Sequence, residues 1–232
     1  MSDRKLVLLH TLSPLIQLFS QLMSEVLPDV KPFHILDEPL LERIKFRGGL
    51  AAADAERVQQ HRLAAADIGA DAILVTCSTV SPCVDQVHAW AGIPILKIDE
   101  AMIAEAVKSG RNIGVLATAS STLKPTQQML LAQSQLTGIP IIVELKLVEG
   151  ALAALLSGDY ETHDRLVCDA IRALSKHSDV VMLAQASMSR VLAVIPDVER
   201  QVPLLSSPHL ALAQVHRLIL PKEKKTDQSS GL

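Results

Sequence analysis

Aromatic side chains are almost absent: three Phe, one Trp and one Tyr occur in 232 residues. So few rings leave little for base stacking, and a net charge of -3 without a long basic run gives no electrostatic footprint for nucleic acid. No apolar run approaches the roughly 20 residues of a membrane span, so no membrane partner is expected. The N-terminus also lacks the long apolar core of a secretion signal, which makes the cytoplasm the expected location. Glycines number ten and are scattered, with neither a phosphate-cradling loop nor a dinucleotide fingerprint among them. Three cysteines, an odd number without a disulfide-like framework, agree with a reducing compartment. Cys77 and Cys83 have no matching Cys/His pair nearby, so neither a metal site nor a cofactor is expected.

What the chain does have is apolar substance, 49% of its residues, enough for one or two compact lobes with a substantial core. The stretch Asp71 to Thr79 is its most informative segment. Ile73, Leu74 and Val75 read as a parallel strand covered on both faces, and Pro82 suits the first turn of a helix. Cys77 then lies between a strand's carboxyl end and a helix N-terminus, where N–H groups favour anions and lower a thiol pKa. Taken alone, the same stretch also fits a small buried core cysteine.

A shift of 108 positions lays Asp179 to Ser187 over Asp71 to Thr79, matching Asp71 with Asp179, Cys77 with Gln185 and Thr79 with Ser187. The opening segments Lys5 to Thr11 and Arg111 to Thr118 are likewise apolar strands ending in threonine. Such a long offset points to an internal duplication rather than a solenoid. Strands are expected at 5–9, 31–36, 71–76, 93–98, 112–117, 140–144 and 179–184. Helices are expected from Pro14, over 50–68 ending at Gly69, after Asp99, over 121–136, 160–176, 187–194 and 208–219, with Asp37-Glu38 able to start another before Phe46. Strands alternating with helices argue for an α/β fold with parallel sheets. After about residue 220 the charged, then small and polar, end reads as a disordered tail.

The segments His10 to Pro14, Thr76 to Thr79, Gly114 to Thr118 and Leu183 to Met188 resemble, in order and spacing, those of the aspartate/glutamate (hydantoin) racemase superfamily. The resemblance implies two pseudo-symmetric parallel-sheet lobes with the active site in the cleft between them. On that arrangement the first lobe takes residues 1–97 plus 206–232 and the second 98–205. It also implies a cofactor-independent isomerase of small carboxylic or amino acids, with a cysteine on each face of the carbon acid. This chain departs from the pattern: it keeps the first cysteine and has Gln185 at the second position.

Hydroxyls and backbone amides at strand ends suit a small carboxylate, because they donate without adding a competing nucleophile. Thr11, Ser13, Ser78, Thr79, Thr118, Ser120, Ser121 and Ser187 all fall at such turns and, with Gln185, form the candidate substrate cradle. Each alone is an ordinary cap or turn residue; the recurrence at four equivalent turns carries the inference. Cys77 is the candidate catalytic residue, Cys83 and Cys168 read as core, and His10 or Gln185 is the candidate second group. Gln185 cannot titrate, which breaks the two-thiol scheme. Open readings are racemisation with another second base, one-thiol decarboxylation of a malonate-like acid, cis-trans isomerisation through covalent addition of the thiol, and non-catalytic carboxylate binding. A homo-oligomer, dimer or higher, is possible on sequence grounds.

Overall fold

The structure is a computed structural model that describes residues 4–220; the tail expected to be disordered lies outside the described residues. Two four-stranded parallel sheets carry the fold. The first contains β1 (Arg4–His10), β2 (Val30–Leu36), β3 (Ala72–Val75) and β4 (Ile95–Lys97) in the order β2-β1-β3-β4. The second contains β5 (Asn112–Ala117), β6 (Ile142–Leu147), β7 (Val180–Leu183) and β8 (Leu204–Ser206) in the matching order β6-β5-β7-β8.

The duplication extends to single hydrogen bonds. Asp71 accepts from the Lys5 amide and donates its own N–H to the Lys5 carbonyl, tying the start of β3 to β1. Asp179 accepts from the Arg111 and Asn112 amides and donates to the Asn112 carbonyl, repeating the device between β7 and β5. These carboxylates satisfy N–H groups that precede each sheet ladder, which is why the aspartate recurs in both copies.

Helices cover both faces of each sheet. On the first, α1 (Pro14–Val26) and α9 (Ser207–Ile219) bury Phe19, Met23, Leu212 and Val215 against Leu6, Leu8 and Leu74. The opposite face receives α2 (Glu38–Arg47), α3 (Ala52–Asp67) and α4 (Pro82–Val87) through Leu40, Ile44, Val58 and Val84. On the second sheet, α5 (Glu100–Ser109) and α6 (Ser120–Thr137) pack with Met102, Val107 and Leu130, while α7 (Ala151–Leu156) and α8 (Tyr160–Leu174) supply the other face with Ala151, Val167 and Ile171. Strands buried on both faces need uninterrupted apolar runs, and β3 and β7 are fully buried throughout.

Helix ends follow their sequences. The Asp37 carboxylate caps α2 by accepting from the Leu40 amide at 3.1 Å, and Asp159 caps α8 through Thr162 at 3.0 Å. Gly69, with φ of 70°, takes the left-handed turn that stops α3. Several expectations shift. The helix expected from residue 50 begins at Ala52; the separate α2 before it starts at Glu38, where Asp37-Glu38 allowed one. The strand expected at 140–144 is displaced to Ile142–Leu147, and Ala186–Ala193 winds as a 3-10 helix. The short α7 had no expectation attached.

Candidate active site

The carboxyl ends of β1, β3, β5 and β7 converge on a cavity of about 40 Å³, the position at which parallel α/β sheets bind ligands. Thr11 and Leu12 come from the turn after β1, Thr76 to Thr79 from the turn after β3, and Ala119, Ser121 and Thr122 from the end of β5 and the start of α6. Gln185, Ala186 and Ser187 arrive from the turn after β7. Cys77 and Gln185 therefore line one cavity, as the 108-residue offset predicts. Two hydrogen bonds stitch the turns across the sheets: Ser78 Oγ donates to the Ala184 carbonyl at 3.0 Å, and the Thr79 and Ser121 hydroxyls lie 3.3 Å apart.

The thiol and the amide occupy equivalent positions in different electrostatic settings. Burial pushes the Cys77 thiol above its ordinary pKa. The Thr11 hydroxyl and the backbone N–H groups of Val80 and Thr79 act the other way, and the negative charge of Asp99 adds to the rise. The expected lowering of the Cys77 pKa is thus reversed: desolvation outweighs the donors of the turn. Gln185 Oε1 accepts from Thr118 N at 2.5 Å, Thr118 Oγ1 at 2.9 Å and Ala119 N at 3.1 Å. The donors at the end of β5 thus hold a neutral carbonyl oxygen where the donors at the end of β1 face sulfur.

The expected site residues divide. Thr11, Ser78, Thr79, Ser121, Gln185 and Ser187 line the cavity; Thr118 and Ser120 line a larger open chamber next to it. The Ser187 hydroxyl is buried without a hydrogen-bond partner among the described residues, so it can still donate to a ligand, whereas the Thr11 hydroxyl is directed at the Cys77 thiol. Ser13 is exposed at the start of α1, makes no capping bond, and lies in a different surface groove. His10 does not reach the cleft and cannot act there as a second base. Its ring is fully buried, with Nδ1 2.8 Å from Thr76 Oγ1 and Nε2 2.9 Å from His34 Nδ1. Burial, reinforced by His34, pulls its pKa to about 3, so it stays neutral. Its role is to brace the strand ends behind Thr11 and Cys77. Cys83 is buried in the first core with its pKa pushed to about 12, and Cys168 is raised by burial as well. Among the described residues, no group of three His, Cys, Asp or Glu side chains is arranged to hold a metal ion.

Two residues were missed. Lys45, on α2, lines the cavity and is, among the described residues, its only ionisable side chain besides Cys77. Nothing in the local pattern of α2 distinguishes it from a solvated lysine, since it reaches the cleft only through the packing of α2 on the sheet. Asp99, read as a helix start, is fully buried at the end of β4, and neither carboxyl oxygen has a hydrogen-bond partner. Burial raises its pKa to about 7, against the opposing influence of its own amide, Ser81 and Lys97.

A family model described as Asp/Glu/hydantoin racemase matches residues 12–215. The chain belongs to the Asp/Glu/hydantoin racemase family. Among solved structures it is similar to an aspartate racemase from Picrophilus torridus, with a TM-score of 0.71 at 12% identity over 96% of this chain and 97% of that one. An allantoin racemase from Klebsiella pneumoniae gives a TM-score of 0.71 at 17% identity, covering 96% and 95% of the two chains. A glutamate racemase from Bacillus anthracis gives 0.70 at 17%, covering 94% and 81%. No curated protein matches by sequence. Membership of a racemase family makes an isomerase-type function the frame for the site, and no described helix is long and apolar enough to cross a membrane.

Proposed function

We propose that this racemase-family protein is a cofactor-independent enzyme acting on a small carboxylic or amino acid, with carbon-acid proton transfer at Cys77. The observation that carries the reading is the content of the cavity: one thiol with the Thr11 hydroxyl beside it, one amide from the equivalent turn of the second sheet, and a Ser187 hydroxyl unpartnered among the described residues. A substrate carboxylate accepts from these hydroxyls and from the amides of the surrounding turns. As the proton passes from the adjacent carbon to the small thiolate fraction of Cys77, charge moves onto the carboxylate oxygens, where fixed donors stabilise it most. The raised thiol pKa keeps Cys77 protonated at neutral pH, which suits delivery of a proton to a carbanion.

A second reading is favoured by Gln185. Its carbonyl is held by three donors and its amide cannot titrate, so the face opposite Cys77 lacks a base of the usual kind. That arrangement fits a one-sided reaction, in which loss of carbon dioxide from a malonate-like acid is followed by protonation from Cys77. The two readings separate by product analysis. Racemase action converts a single enantiomer of a chiral acid to a mixture, seen by chiral chromatography, and releases no carbon dioxide. Lyase action releases carbon dioxide and leaves one enantiomer. Absence of both across amino, hydroxy and substituted malonic acids, with binding retained, would make the protein a carboxylate binder without chemistry.

A further inference from the structure

The cavity beside Cys77 holds about 40 Å³, room for little more than one small polar group, yet it adjoins a chamber of about 810 Å³. Lys45, Thr79, Ala119, Ser121 and Leu152 line both spaces, so the two lie side by side with these residues at their boundary. The outer volume falls within the range of whole-ligand sites, and a substrate confined to the inner cavity would leave it unused. The walls of the chamber are apolar at Ile44, Leu50 and Leu147, and its charged groups are Lys45, Lys124 and Glu149.

The lysines are available to a ligand. Lys124 is exposed and forms no salt bridge with any described residue. Lys45 pairs with Glu42 at 2.8 Å, but that carboxylate is 69% exposed, so the pair exchanges readily for a ligand anion. Lys45 also stands where the narrow space meets the wide one, and so reaches a group just outside the reacting centre.

Resting on the functional reading above, we propose that the substrate is larger than a simple amino acid and carries a second anionic group, carboxylate or phosphate, that the chamber holds through Lys45 and Lys124. Its reacting carboxylate occupies the inner cavity, and a linker crosses the apolar wall. The preference is electrostatic and at the surface, so it weakens as salt rises through the physiological range.

The test is protection of Cys77 from iodoacetamide in the native protein, read by mass spectrometry. Hexanoate and adipate have the same chain length and differ in the second carboxylate; glycerate and 3-phosphoglycerate differ in the phosphate. Adipate, 3-phosphoglycerate or both should protect at about tenfold lower concentration than their singly charged partners. The ratio should fall toward one in the Lys45→Met, Lys124→Met double variant; the arm showing the larger ratio identifies the anion. Ratios near one in the native protein, or unchanged in the double variant, overturn the outer subsite while leaving Cys77 in its cleft. Failure of all four acids to protect overturns the outer subsite and the carboxylate-binding reading together.

Discussion

Replacing Asp99 with Asn removes the most strongly perturbed carboxyl group of the site and leaves its shape nearly unchanged. In the folded protein this group titrates at about 7, against an ordinary 3.8, because burial disfavours its charge. The sign follows from proton linkage. Below pH 4 the carboxyl is protonated whether the chain is folded or not, and it contributes no pH dependence. Between 4 and 7 the unfolded chain gives up the proton while the folded chain keeps it, so stability falls as pH rises; above 7 the loss is complete. A shift of about three units at about 1.4 kcal/mol each gives roughly 4 kcal/mol. Asn carries no such penalty, so the variant should gain on the native protein steadily between pH 4.5 and 8. For a chain of this size the difference corresponds to a rise in Tm on the order of 10 °C at pH 8 and almost none at pH 4.5. Urea denaturation followed by circular dichroism at five pH values measures it. Parallel stability curves for the two proteins would refute the reasoning and mean that Asp99 is ionised and solvated.

Cys77→Ser apart, three other perturbations have defined outcomes. Arg62, 5% exposed, donates to the backbone carbonyls of Val87, Trp90, Gly92 and Ile93 that lead into β4; Arg62→Met should cost about 3–5 kcal/mol in urea denaturation, because those acceptors are left buried and unpaired. Iodoacetamide should label Cys77 before the more deeply buried Cys83 and Cys168, with a rate still climbing above pH 9 as the raised pKa requires; a plateau by pH 8 would contradict the desolvated thiol. Gln185→Cys places a second thiol opposite the first, and exchange of the substrate proton on both faces should appear in chiral analysis in heavy water. The same variant frees the Thr118 and Ala119 amides, so a small loss of stability accompanies the gain.

Much of the architecture was legible because it rests on local or periodic signals. The apolar runs of β3 and β7, the aspartates that tie them to β1 and β5, and the helix start at Asp37 are short-range features that repeat or stand out in the chain. Cys77 was legible for the same reason, lying at the end of such a run with its counterpart visible at Gln185. What escaped depends on packing at long range. Lys45 sits in an ordinary amphipathic helix and gains its place only when α2 folds over the sheet. His10, adjacent to Thr11, looked like a cleft residue, but strand alternation turns its ring inward to Thr76 and His34, away from the cleft. The pKa of Cys77 was misjudged because the donors of its turn are local and visible, whereas the burial that outweighs them comes from long-range packing against the core between the first sheet and α2, α3 and α4. Asp99 reads as a helix cap by position, and only its burial reveals a carboxyl close to neutrality.

The central claim, that Cys77 exchanges a proton with the carbon of a bound acid, is tested most directly in heavy water. Native protein and Cys77→Ser are incubated with a panel of amino, hydroxy and extended dicarboxylic acids, and deuterium at the carbon next to the carboxylate is followed by mass spectrometry. The native protein should incorporate deuterium into at least one acid at a rate that falls by two or more orders of magnitude in the folded variant. Equal incorporation by both proteins would contradict the account, as would its absence with every acid that protects the thiol.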